Sequence, residues 1–264
     1  MRPTMRLLTT RLLTTPRRAP DVAGTPGKVG VVFVSHSVKI AEGLVDLAGQ
    51  MAEGTSLVAA GGTDDGGIGT SFDKVTAAVA EADSGHGVAI FCDLGSAILT
   101  AETALDFLDD EVQARVRIVS APLVEGGVAA AVAAESGASL DEVVAAGESA
   151  RDEQGEKVAD AGDGDVAAVP VFEAEPVASG TPSRTVTIVN KDGLHARPAA
   201  EFVKLANTFP VKVTVNGKDA KSLLGIMSLG LTKGSTVELA SADPEGAEAV
   251  DALADLIETG FGEA

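Results

Sequence analysis

Between residues 28 and 150 the chain alternates two incompatible apolar rhythms, and this alternation restricts its fold more than any other feature. Residues 29–34 are a near-continuous apolar run, as a strand covered on both faces requires. Val38, Ala41, Leu44, Leu47, Ala48 and Met51 then recur at helical spacing. The strand signal returns at 55–60, 87–92 and 115–119, and the helical signal at 71–82, 96–108, about 124–134 and 139–150. Ser139 and Glu142 have the spacing of a capping box that opens the last helix. Strands separated by helices predict an α/β domain with an open, mostly parallel sheet over 28–150.

Residues 151–182 break the rhythm. They are acidic, contain Pro170, Pro176 and Pro182, and have no sustained apolar period, which predicts a linker. As a flexible chain, such a segment would span about 30 Å in root-mean-square terms. Residues 183–264 start afresh, with a strand at 185–189 and a helix at 196–207 that tolerates Pro198 in its first turn. Val211, Val213 and Val215 alternate with Lys212 and Thr214 up to Asn216-Gly217, a strong hairpin signal. A short helix at 222–231, a strand at 235–240 and an amphipathic helix at 244–259 complete β-α-β-β-α-β-α, the order of a small α+β open-faced sandwich. Residues 1–27 echo Leu-Leu-Thr-Thr and are Arg-rich and acid-poor, loosely like a targeting peptide, but their apolar runs are too short for a secretory signal. The expectation there is a disordered tail, or a start codon assigned too far upstream.

Composition excludes several functions. Twenty basic against 39 acidic residues give a net charge of −19, and there is no Trp or Tyr. A phosphate backbone would be repelled, and no aromatic platform exists for single-stranded nucleic acid. One cysteine, Cys92, can form neither an internal disulfide nor a cysteine-based zinc site. No run of about 18 uncharged apolar residues is present to span a bilayer. The expectation is a cytoplasmic protein without a membrane segment, a metal or a resident cofactor.

Two of the three histidines stand where chemistry gathers. His36 closes the first strand, and carboxyl ends of strands carry the sites of open parallel sheets. Asp93 closes the third strand, so the two could meet across adjacent strand ends. A carboxylate on one ring nitrogen fixes the tautomer and leaves the other nitrogen as nucleophile. A histidine at a strand end can equally be structural. A hydrolase built from Ser35, His36 and Asp93 is disfavoured, because neighbouring residues of a strand point to opposite faces. His195 falls where a loop becomes a helix, with Arg197 two residues on. Unpaired backbone N–H groups there favour negative charge, so a phosphoryl group could be accepted and neutralised. A lone histidine in that place is otherwise an ordinary capping residue. The glycine-rich run 61–70 lacks the Gly-Lys-Ser/Thr of a phosphate cradle and carries Asp64 and Asp65, so it reads as a mobile loop beside His36. His86 reads as surface and Cys92 as strand packing.

Gly-Leu-His-Ala-Arg-Pro-Ala-Ala at 193–200, with Ala-Lys-Ser-Leu-Leu-Gly-Ile-Met at 220–227, resembles HPr, the phosphocarrier of the phosphoenolpyruvate-dependent phosphotransferase system. The resemblance implies that enzyme I phosphorylates His195 on Nδ1 and that Arg197 steadies the phosphate. Ser222 matches a serine phosphorylated for regulation in some relatives, although it also reads as a plain N-cap. Val-Ser-His-Ser at 34–37, Ala-Ala-Gly-Gly-Thr-Asp-Asp at 59–65, Asp-Leu-Gly-Ser-Ala at 93–97 and Ala-Pro-Leu-Val-Glu-Gly at 121–126 resemble the DhaM family. Its members are phosphoryl-donor subunits of phosphotransferase-dependent dihydroxyacetone kinase, with a mannose-type enzyme IIA-like domain. That resemblance implies phosphorylation of His36 on Nε2, orientation by Asp93, and a homodimer through the first domain. It also implies ADP-bearing DhaL with DhaK as acceptor partners, and since the sequence carries no enzyme I-like segment of the kind some longer relatives have, enzyme I is expected as a separate protein. A sugar-import IIA–HPr fusion and a regulator reporting phosphotransferase status are the alternatives.

Overall fold

The computed structural model describes residues 27–160, 181–191 and 193–262. The expected N-terminal tail, apart from Gly27, and residues 161–180 of the expected linker lie outside these.

The first domain is the doubly covered parallel sheet that the apolar rhythm predicts. Strands β1 (Gly30–Ser35), β2 (Leu57–Gly61), β3 (Val88–Cys92) and β4 (Val116–Val119) lie in the order β2-β1-β3-β4, every pair parallel. Helices α1 (Val38–Gly49), α2 (Phe72–Ala82), α3 (Gly95–Asp106), α5 (Leu123–Glu135) and α6 (Leu140–Asp160) form the covering layers. Strand alternation divides the core: Val31 and Phe33 face the side of Leu44 and Val132, whereas Val32 and Val34 face Val75, Val79 and Ala101. Small residues let the helices approach. A Cβ on Gly127 would lie 2.4 Å from Phe33 Cε1, and one on Gly147 2.8 Å from Phe91 Cζ.

The structure departs from expectation in two places here. A four-residue helix, α4 (Asp110–Gln113), precedes β4. Helix α6 runs to Asp160, well past the linker start expected at 151. Residues 151–160 have no apolar stripe, but Arg151, Glu153, Gln154, Glu156 and Lys157 are good helix formers that can extend a helix already nucleated. At the start of α6, the Glu142 carboxylate accepts from the backbone N–H and the hydroxyl of Ser139, both at 2.8 Å.

The second domain is an antiparallel sheet of β5 (Ser183–Thr187), β6 (Thr214–Val215), β7 (Lys218–Asp219) and β8 (Thr236–Ala240), ordered β5-β8-β6-β7. Its helices are α7 (Ala196–Asn207), α8 (Leu223–Ser228) and α9 (Ala247–Glu258). Asn216 and Gly217 both have positive φ, as a two-residue hairpin turn requires. The strand expected at 211–215 contracts to its last two residues, and a 3₁₀ turn at Pro244–Gly246 precedes α9. Helix α7 packs on α5, and α8 packs on α5 and α6, so the second domain rests against the first.

Candidate functional sites

At the carboxyl edge of the parallel sheet, β1 and β3 are neighbours, so His36 and Asp93 emerge side by side. The His36 ring Nδ1 lies 2.8 Å from Asp93 Oδ1, with both side chains only partly exposed. Asp93 gathers donors at both oxygens. Oδ2 accepts from the Ser35 hydroxyl at 2.9 Å and the His36 backbone N–H at 2.8 Å, and Oδ1 also accepts from Leu94 N–H at 2.7 Å. Burial pushes the Asp93 carboxyl up, but these hydrogen bonds outweigh burial and hold it below the usual carboxylate range. An ionised Asp93 requires the proton on Nδ1, which makes Nε2 the ring's acceptor and nucleophile.

That Nε2 meets the Ser96 hydroxyl at 2.7 Å. Ser96 is the second residue of α3, where backbone N–H groups lack intrahelical partners and the helix dipole favours negative charge. A phosphoryl group on Nε2 would therefore meet a hydroxyl donor and a helix start. Sequence reasoning missed Ser96. The signal was its place three residues after Asp93 at a helix start, but contact with a histidine 60 residues away depends on strand order.

Ser35 is fully buried; its hydroxyl donates to Asp93 and accepts from Ser37 N–H at 3.1 Å, so it is a support for the carboxylate rather than a nucleophile. The glycine-rich loop does lie beside the site, with Gly69 N–H donating to the His36 carbonyl at 3.0 Å. It is tightly tied. Lys74 Nζ donates to the carbonyls of Gly61 at 2.9 Å and Thr63 at 2.8 Å, while Asp65 and Asp64 accept from Thr63 and Ser71. Leu94 and Ile68 stand exposed next to Asp93 and within this loop. Cys92 is strand packing, its thiol pushed up to about 12 by burial and then by the Asp93 and Glu102 charges. His86 is exposed.

His195 forms the second site. It is the exposed N-cap residue of α7, with extended backbone and no side-chain cap bond. Its Nδ1 lies 3.2 Å from the Gly193 carbonyl, so Nδ1 carries the proton here, and a phosphoryl group there would have to displace that bond. Pro198 has no N–H, which leaves the Ala196 and Arg197 amides as donors in the first turn. Arg197 is exposed, with Nε 3.8 Å from Glu201 Oε1, so in this arrangement it points along the helix rather than over His195. Ser222 caps α8, accepting from Gly225 N–H at 3.1 Å, and it lines a cleft of about 200 Å³ with Ala129, Ala133 and Ser149. The cap reading of Ser222 is thereby realised. Among the described residues no group of His, Cys, Asp and Glu could hold a metal ion, and no helix is long and apolar enough to cross a membrane.

Two family models match the chain: "PTS system fructose IIA component" over residues 30–144 and "PTS HPr component phosphorylation site" over 182–259. The phosphoryl-donor subunit DhaM of the phosphoenolpyruvate-dependent dihydroxyacetone kinase of Escherichia coli is 38% identical over 89% of this chain and 51% of its own length. The corresponding subunit of kinase 2 of Listeria innocua is 45% identical over 39% of this chain and 84% of its own. Phosphocarrier protein HPr of Cupriavidus necator is 49% identical over 30% of this chain and 94% of its own. The chain thus spans about half the length of the longer relatives and nearly all of the shorter ones. These similarities do not favour the sugar-import and regulatory alternatives.

Proposed function

The chain belongs to the DhaM family of phosphoryl-donor subunits, in a form that carries an HPr domain, and from that membership we propose that it relays phosphoryl groups for dihydroxyacetone phosphorylation. Phosphate from phosphoenolpyruvate reaches His195 Nδ1 through enzyme I. It then moves to His36 Nε2 and on to ADP held by the acceptor subunit DhaL, which works with DhaK. The observation that carries this reading is the His36 site: Nδ1 is committed to Asp93, and Nε2 faces Ser96 at a helix start.

Each transfer breaks one N–P bond and forms another bond to the same phosphorus, so no electrons are exchanged. The protein's part is placement and charge balance. Asp93 stabilises the imidazolium that exists as phosphate arrives or leaves. Ser96 and the α3 amides face the phosphoryl oxygens at His36, and Arg197 swings from Glu201 to those at His195. No resident cofactor or metal enters this scheme. The setting is the cytoplasm, the active form is a homodimer through the first domain, and exposed Leu94 and Ile68 make contact with the acceptor. Incubating the chain with enzyme I, phosphoenolpyruvate, DhaL, DhaK and dihydroxyacetone tests this reading. Dihydroxyacetone phosphate should form, and charged chain that never passes phosphate to the kinase subunits would sink the assignment.

A further inference from the structure

The contact between the two domains lies at the wrong end of the first domain for transfer. Helix α1 starts directly after His36, and Gln50 and Met51 follow its far end. Glu135 is the last residue of α5, which likewise begins at the sheet's carboxyl edge and runs away from it. A cleft of about 260 Å³ brings Arg197 and Lys204 of α7 against Gln50, Met51, Glu53 and Glu135. The start of α7, and His195 with it, is thereby held near the amino edge. Twelve residues of α1 separate that edge from His36 by about 18 Å. Reacting atoms must come within about 3–3.5 Å.

A specific ion pair holds the contact. Glu135, with its side chain 9% exposed, binds Lys204 Nζ at 3.3 Å through Oε1. Its Oε2 accepts from Lys28 Nζ at 2.7 Å, Thr55 Oγ1 at 2.9 Å and Gly54 N–H at 3.0 Å. The carboxylate is therefore built into the first domain, and among the described residues Lys204 is its partner from the second. Beyond that pair, apolar side chains of α5, α6, α7 and α8 join the two domains' cores in one cluster, and an alanine-lined cleft of about 200 Å³, large enough for water, interrupts it between α5, α6 and α8. Meanwhile His195 stays exposed, and the face carrying Nε2 of His36 is not covered by the second domain.

We infer that this is a parked arrangement, which leaves His195 open to its donor and His36 open to its acceptor but holds the two histidines apart, so that transfer between them within a chain requires release of the Lys204–Glu135 contact. The inference rests on the relay proposed above.

Lys204→Glu and Ala133→Arg attack the contact from opposite sides, one by charge and one by bulk, and neither residue belongs to the phosphoryl sites. Small-angle scattering of the whole chain reads docking, and a single-turnover assay with trace enzyme I reads His195 loading and passage to His36. Both variants should enlarge the radius of gyration, leave loading of His195 unchanged and speed passage to His36 several-fold. Rising salt should do the same to the unmodified chain. Released variants that transfer at the same rate or more slowly would overturn the gate while leaving the relay intact. A chain whose scattering is already that of two independent bodies would overturn the parked arrangement. Phosphate that stays on His195 in every variant would overturn the relay itself, and the gate with it.

Discussion

Asp93 shows how much one carboxylate can organise. Its two oxygens receive four donors, two at each, and an amide can accept only those on the side its oxygen takes. In Asp93→Asn the NH₂ group must face either the His36 backbone N–H or the Leu94 N–H, donor against donor, whichever way the amide turns. If it faces Nδ1, it also forces the proton onto Nε2 and removes the nucleophile. Passage of phosphate through His36 should fall by about 10²–10⁴-fold in this variant, the upper figure being the cost of the comparable change in a serine protease. Rapid-quench measurement of His36 charging checks this, and an unchanged rate would remove Asp93 from the mechanism. The depressed Asp93 value also sets a pH dependence. A carboxyl held lower in the folded than in the unfolded state contributes stability that is complete above the unfolded value, about 3.9, and disappears as pH falls through the folded one. The stability difference between the unmodified chain and Asp93→Asn should therefore be constant above about pH 5 and shrink below pH 4 in denaturant titrations.

At the scale of elements, both sites are loop-to-helix junctions whose backbone aims a histidine. Gly193 makes the second one possible: its φ is +74°, and a Cβ there would lie 2.2 Å from the Leu231 carbonyl oxygen. A left-handed alanine costs on the order of 1 kcal/mol, and the clash with backbone adds to it. Gly193→Ala should lower the melting temperature of the HPr domain by at least about 4–8 °C and slow loading of His195, as calorimetry and enzyme I assays would read. These junctions were legible in the sequence because a strand end and a helix start are local patterns. His36, Asp93 and His195 could be named from such patterns and motifs alone. Ser96 could not be, since its partner is set by which strands pair. Neither could the length of α6, because residues 151–160 carry helix propensity without an apolar stripe. The short α4 escaped for the opposite reason, having too few residues to show a period.

For the whole molecule, the strands form two separate sheets, one parallel and one antiparallel, as an α/β domain followed by an α+β sandwich predicts. Their docking was not legible, because alanines on α5 and α6 look the same whether they face a core or a neighbouring domain. The central claim concerns direction, that phosphate enters at His195 and leaves from His36. The most direct test is to treat His36→Ala and His195→Ala with phosphoenolpyruvate and enzyme I, and to map phosphohistidine on each by mass spectrometry under alkaline conditions. His36→Ala should hold phosphate on His195 and deliver none to a kinase subunit. His195→Ala should remain uncharged at His36 until a separate HPr is added, and then charge. Normal charging of His36 in the His195→Ala chain with enzyme I alone would contradict the account, since the HPr domain would then lie outside the path of the phosphoryl group.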